Sequence, residues 1–225
     1  MFDLIEPDPR RRQRAEECHA GFVAARHEAV ARANEIWQLA GRSWVPADAT
    51  LAAAMERVRA AWRDALAHTV QGMVGTFLDA QRAGGPDDQA QLAPYAVLFL
   101  RWEAASPGQW RHAGPTAPWW YKKQVLRSFA RNGVPGPQRD ALTGLLVAAV
   151  HREHRCEDCF YPALARHLDG PALRAALIQA QVADDAVVRL RARYVEWVAD
   201  HADEPVSLAG WRRWLADADD PSPRT

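Results

Sequence analysis

His151, His154, Cys156 and Cys159 fall within nine consecutive residues, and they are two of the chain's eight histidines and two of its three cysteines. Imidazole and thiolate are the ligands zinc prefers, and a Cys-x-x-Cys pair also supports thiol–disulfide chemistry. His-x-x-His and Cys-x-x-Cys are each good half-sites, because two ligands three positions apart converge on one ion. Only Arg155 separates the two halves here. On a continuous helix His151 and His154 lie about 60° apart, whereas Cys156 lies about 140° from His151. The four therefore face one ion only if the helix breaks near Arg155. Zinc bound by His151, His154, Cys156 and Cys159 is one expectation for this segment. The bland one, which carries more weight, is that the cysteines are small buried residues opening a helix and the histidines are surface groups.

A third expectation is thiol chemistry. The cluster resembles that of the alkylhydroperoxidase-D-like family, in which Cys-x-x-Cys is followed by a His on the same helix. The resemblance implies a redox pair at Cys156 and Cys159. In that family the His comes four residues after the second Cys; here that position is Ala163, and the next histidine is His167. The residues between the cysteines, Glu157 and Asp158, are both acidic and disfavour a thiolate.

A second chemically distinctive stretch is basic and aromatic. Trp119, Trp120, Tyr121, Lys122 and Lys123 lead into Arg127, Arg131 and Arg139. From 119 to 155 there are seven Lys/Arg against two acids, Asp140 and Glu153. Lys123, Arg127 and Arg131 step by four and share one helix face. Such a face suits a phosphate backbone, with aromatics stacking on bases, although a basic face is more often simply solvated. The paired tryptophan is similar to that of helical-repeat DNA glycosylases. In those enzymes the pair is followed by a catalytic Asp, where this chain has Tyr121 and Lys122. The resemblance thus extends to nucleic-acid binding and stops short of that catalysis.

Other catalytic constellations are missing from the sequence. It contains no Gly-x-Ser-x-Gly elbow, no Gly-rich phosphate loop and no Gly-x-Gly-x-x-Gly. Lys+Arg and Asp+Glu are equal at 28 each, so no global field draws in nucleic acid. Apolar runs such as Ala96 to Leu100 fall far short of the ~20 residues of a membrane span. The acidic start and the odd number of cysteines point to a cytoplasmic protein with no membrane partner.

The elements that position these groups read as helices throughout. Arg10 to Ala40 is one long helix, with Val23, Val30 and Trp37 at seven-residue spacing. Leu51, Met55, Val58, Trp62, Leu66, Val70, Met73 and Phe77 step by three or four and predict a second, capped by Thr50 and stopped by Gly84-Gly85-Pro86. The two predict an antiparallel hairpin. A shorter helix, bent or interrupted near Pro94, covers about Asp87 to Ala104. Further helices follow at Trp119–Arg131, Pro137–His151, Cys159–Leu168, Pro171–Gln181, Asp185–His201 and Leu208–Ala216. The ten tryptophans plug gaps between helices on this reading.

Asp185 to Ala192 and Leu168 to Ala176 share a grammar: an Asp near a helix start, then Val-Arg or Leu-Arg, then Ala. Over roughly residues 119 to 202 this resembles a HEAT-like helical repeat. The resemblance implies that Asp caps a helix while Arg and Ala pack at the seam between stacked helices.

The resulting expectation is an all-α protein: an N-terminal helical hairpin region (1–105), a Pro/Gly-rich loop (106–118) and a C-terminal HEAT-like stack of short helix pairs (119–225). Its expected function is non-catalytic. It is a binding or scaffold protein that recognises a macromolecule, a protein before a nucleic acid, through the basic aromatic face, with no cofactor. The alternatives are a nucleic-acid-binding helical repeat and a metal- or thiol-dependent enzyme using the 151–159 cluster.

Overall fold

The computed structural model describes residues 1–83, 86–112 and 118–219, and among them it contains helices and no strand. The described residues form eleven α-helices: α1 (Pro9–Leu39), α2 (Ala49–Ala67), α3 (Val70–Ala83), α4 (Pro86–Ala105), α5 (Pro107–Arg111), α6 (Pro118–Asn132), α7 (Arg139–His151), α8 (Ala165–Leu168), α9 (Pro171–Gln181), α10 (Ala186–Asp200) and α11 (Leu208–Asp219). Short 3-10 turns cover Phe2–Ile5, Gly136–Gln138 and Asp158–Leu164. The all-α class is as expected. No described helix is long and apolar enough to cross a membrane.

The helix expected to run from Thr50 to Ala83 is two helices. Its apolar period continues unbroken, but Thr69 supplies a start signal in the middle. Thr69 Oγ1 accepts from Gly72 N at 3.0 Å and donates to Leu66 O at 2.8 Å, which closes α2 and opens α3. Gly72 is required there: a Cβ at this position would stand 1.9 Å from the Leu66 carbonyl oxygen. The cap of α2 is Asp48, not Thr50, with Asp48 Oδ1 accepting from Leu51 N.

α1 also differs from its apolar pattern. Its buried residues are His19, Arg26 and Ala29, whereas Val30 is exposed. These positions step by seven and three, so the inward face is helical in period but polar in composition. α1 and α2 lie side by side, with Trp37 against Trp44 at one end and Phe22 stacked on His68 at the other, an antiparallel arrangement.

Two compact units divide the chain, Met1–Tyr121 and Lys122–Thr225, with the division inside α6. In the first, α3 and α4 pack closely and supply most of the core, including Val74, Phe77, Phe99 and Trp102. α4 runs through Pro94 as one helix. Part of the stretch read as a loop is helical: α5 buries Trp110 completely, against Phe99 at 5.1 Å and Trp119 at 4.9 Å. Residues 113–117 of that stretch lie outside the described residues.

In the second unit α10 is central, touching α7, α8, α9 and the 3-10 turn. Its start is capped by Asp185, which accepts from Val187 N at 2.7 Å. Asp169 was expected to cap α9 in the same way. Instead Gly170 is the N-cap and Asp169 pairs with Arg174, which also reaches Asp200 on α10. Ala192 is buried at the seam, but Ala175 is exposed. The packed helix pairs are thus present; Asp185 caps α10 and Ala192 is buried, whereas Asp169 does not cap α9.

Candidate functional site

α7 ends at His151, and Arg152 leaves it in extended conformation. The chain turns at Cys156-Glu157, where Glu157 takes a left-handed φ of 66°, and enters the 3-10 turn at Asp158. The helix therefore ends before the cluster rather than carrying it. His151, His154, Cys156 and Cys159 are each exposed, and the cysteines are free thiols. Among the described residues no group of three or more His, Cys, Asp or Glu stands together as metal ligands would. The cysteines expected to be buried at the opening of an α-helix are both exposed, beside a 3-10 turn.

The residue that organises this segment is Asp158. Its Oδ1 accepts from Lys122 Nζ at 2.6 Å and from Arg152 Nη2 at 2.6 Å, and its Oδ2 accepts from the Arg155 backbone N–H at 2.9 Å. Burial alone would raise its carboxyl pKa. The hydrogen bonds from Arg152 and Lys122, the Lys122 charge and the Arg155 N–H outweigh burial and hold it below the usual value. Lys122 and Arg152 both lie over the Tyr161 ring, at 5.7 and 5.8 Å. One carboxylate thus fixes α6, the end of α7 and the 3-10 turn to one another.

This arrangement reshapes the basic aromatic face. Lys122 is 0 % exposed and leaves that face entirely. Lys123 and Arg127 remain, lying over the Phe160 ring at 5.3 and 4.8 Å. Arg131 is exposed, while Arg139 is spent on the His167 and Asp169 carbonyls. Trp119 is half-buried beneath Arg111, Trp120 is exposed, and Tyr121 lies edge-on to Trp120. What survives of the expected surface in the second unit is the strip Lys123–Arg127–Arg131.

That strip borders a cavity of about 600 Å³ within the second unit, which sequence reasoning missed. Its walls are mainly apolar: Leu146, Ala149 and Val150 from α7, Phe160 and Tyr161 from the turn, Tyr194 and Val195 from α10, and Leu208 and Trp211 from α11. Arg127, His154, Asp158, Cys159, Arg191 and Ser207 supply its polar groups. The aromatic wall is held from behind, Tyr194 lying edge-on to Trp211 at 4.6 Å and against Trp214 at 5.2 Å. Arg191 ties α10 to the end of α7 by donating from Nη1 to the Val150 and Arg152 carbonyls. The signal for this site lay in the clustered apolar and aromatic positions of three separate helices, and only folding brings them to one place.

Cys159 is the one thiol on the cavity wall. Partial burial against the wall raises its pKa, and the Glu157 charge adds to the effect, as the flanking acids lead one to expect. Comparison with models of known protein families, with curated proteins and with solved structures finds no match to this chain.

Proposed function

We propose that the protein is a binding protein whose C-terminal unit takes up a small, largely apolar organic molecule. The observation that carries this reading is the cavity among α7, α10, α11 and the 3-10 turn, about 600 Å³ in volume. Cavities of roughly 300–1,000 Å³, walled by apolar and aromatic side chains with a few convergent polar groups, are the usual form of small-molecule sites. The polar groups here are suited to orienting a ligand rather than to transforming it. Asp158 is committed to its two cations, and the Cys159 thiol is held protonated at neutral pH. The HEAT-like reading of the C-terminal half fits this role, since stacked helix pairs form concave surfaces between them.

Calorimetric titration of the full chain with a series of n-alkyl and aromatic compounds tests the proposal. Saturable one-to-one binding that is weakened by Leu208→Asp, at an exposed position of the cavity wall, is the expected result. Absence of binding across the series overturns it.

A second reading, recognition of a macromolecule, has its own support in the strip Lys123–Arg127–Arg131. Among the described residues none of the three forms an ion pair. Under that reading, replacing all three with Ala abolishes a salt-sensitive association with an acidic protein or a nucleic acid.

A further inference from the structure

We infer that the ligand of the C-terminal cavity is an amphipathic carboxylate, an anionic head on an apolar body, with Arg127 and Arg191 as the partners of the head. The inference deepens the small-molecule reading above and rests on it.

The charges around the cavity are unequally committed. Its wall contains one carboxylate, Asp158, and both of its oxygens already accept hydrogen bonds from Lys122, Arg152 and the Arg155 N–H. The two arginines of the wall are not used in this way. Arg127 is exposed and, among the described residues, makes no hydrogen bond or ion pair; its guanidinium lies over the Phe160 ring 4.8 Å away. Arg191 spends Nη1 on two backbone carbonyls, and its Nε and Nη2 make no hydrogen bond among the described residues. Lys123, over the other contact to Phe160, adds to the same sign of charge.

Two guanidinium groups with unused donors beside an apolar cavity are complementary to an anion, and the planar guanidinium matches the two oxygens of a carboxylate. An amine head would meet these cations with no free acid to offset them. A neutral head would leave them without a partner while the apolar body displaces their water. Attraction to the arginines therefore selects an anionic head.

The test uses the full chain and three probes with the same alkyl body: decanoate, decanol and decyltrimethylammonium. Isothermal titration is expected to show decanoate binding at least about tenfold more tightly than decanol, the size of effect a charge-assisted pair supplies, with no binding of the ammonium. Arg127→Ala is expected to remove most of the preference for decanoate over decanol; Arg127→Lys restores part of it. The Arg127 side chain is exposed and unbonded, so its truncation spares the fold, and thermal melting of each variant verifies this. Equal affinity for decanoate and decanol overturns the carboxylate inference while the apolar cavity stands as a site. A preference for decanoate that survives both Arg127→Ala and Arg127→Gln overturns the assignment of the head to Arg127. If none of the three probes binds, the small-molecule reading itself falls.

Discussion

Lys122 and Asp158, thirty-six residues apart in sequence, form a buried ion pair with Nζ 2.6 Å from Oδ1. Arg152 joins them from the end of α7, giving the carboxylate two cations. The pair decides which neighbours point where: Lys122 turns inward, Lys123 lies over Phe160, and the turn after Cys156 is drawn against α6.

Removal of one partner from this pair leaves a buried charge uncompensated. Asp158→Ala is therefore expected to lower the stability of the C-terminal unit by about 3–5 kcal/mol. Replacing Lys122 by Met together with Asp158 by Asn is expected to cost less than Asp158→Ala alone, because Arg152 is near the surface and can be hydrated. Urea unfolding of the two variants reads the difference. The carboxyl of Asp158 has a folded pKa below its unfolded value, so its stabilising contribution is present above the ordinary carboxylate range and is lost as pH falls through the folded value.

His19 gives the N-terminal unit a separate acid sensitivity. Its ring is buried edge-on to Trp102, and Nε2 accepts from the Val70 N–H at the start of α3. Burial lowers its pKa from 6.5 to about 4, with a smaller contribution from the amino terminus. The folded state holds the neutral ring, whereas the unfolded chain protonates near 6.5. Stability from this group is therefore complete above pH 6.5, falls as pH drops, and is fully lost below about pH 4, a change of roughly 3 kcal/mol. His19→Gln should flatten the slope of melting temperature against pH between these values. An unchanged slope would mean that other groups set it.

Gly72→Ala is expected to destabilise the junction between α2 and α3 by about 1–3 kcal/mol or more, because the added methyl meets the Leu66 backbone and no side chain can move aside. Gly75→Ala, three residues along the same helix with open space around the position, is expected to be neutral or slightly stabilising. Denaturation midpoints of the two variants should move in opposite directions or differ clearly in size.

The Cys159 thiol, raised by burial and by Glu157, is expected to react with iodoacetamide at neutral pH more slowly than a free cysteine. The rate should climb with pH beyond the range in which a free thiol has levelled off. Glu157→Gln should speed the reaction at neutral pH. Because Cys159 lines the cavity, bound decanoate should slow its alkylation and leave Cys18, in the other unit, unaffected.

Much of the secondary structure is legible residue by residue. Gly170-Pro171 starts α9, Asp185 starts α10, and α6 and α11 lie within a residue or a few of their expected bounds. The failures are also specific. Thr69 looks like any threonine inside an apolar period; it becomes a cap because Gly72 lets the Leu66 carbonyl come close. Arg26 carries no local signal of burial, yet it is buried and donates to Gln71 Oε1 at 3.1 Å. Of the basic aromatic set, Arg127 lines the cavity and Lys123 flanks it, but Lys122 does not face solvent at all.

By itself the sequence determined the helical class, the positions of most helix ends and the acidic neighbours of Cys159. Those properties arise from interactions within a few residues: the 3.6-residue period, Asp, Gly and Pro at helix ends, and charges adjacent in the chain. Only the tertiary structure decided that Lys122 is buried and Arg127 is not, that Asp158 is a junction rather than a surface acid, and that a cavity opens among α7, α10, α11 and the turn between them. Each of these depends on partners from distant parts of the chain. Whether a charge is exposed or buried is set by what packs over it, and local pattern does not encode that.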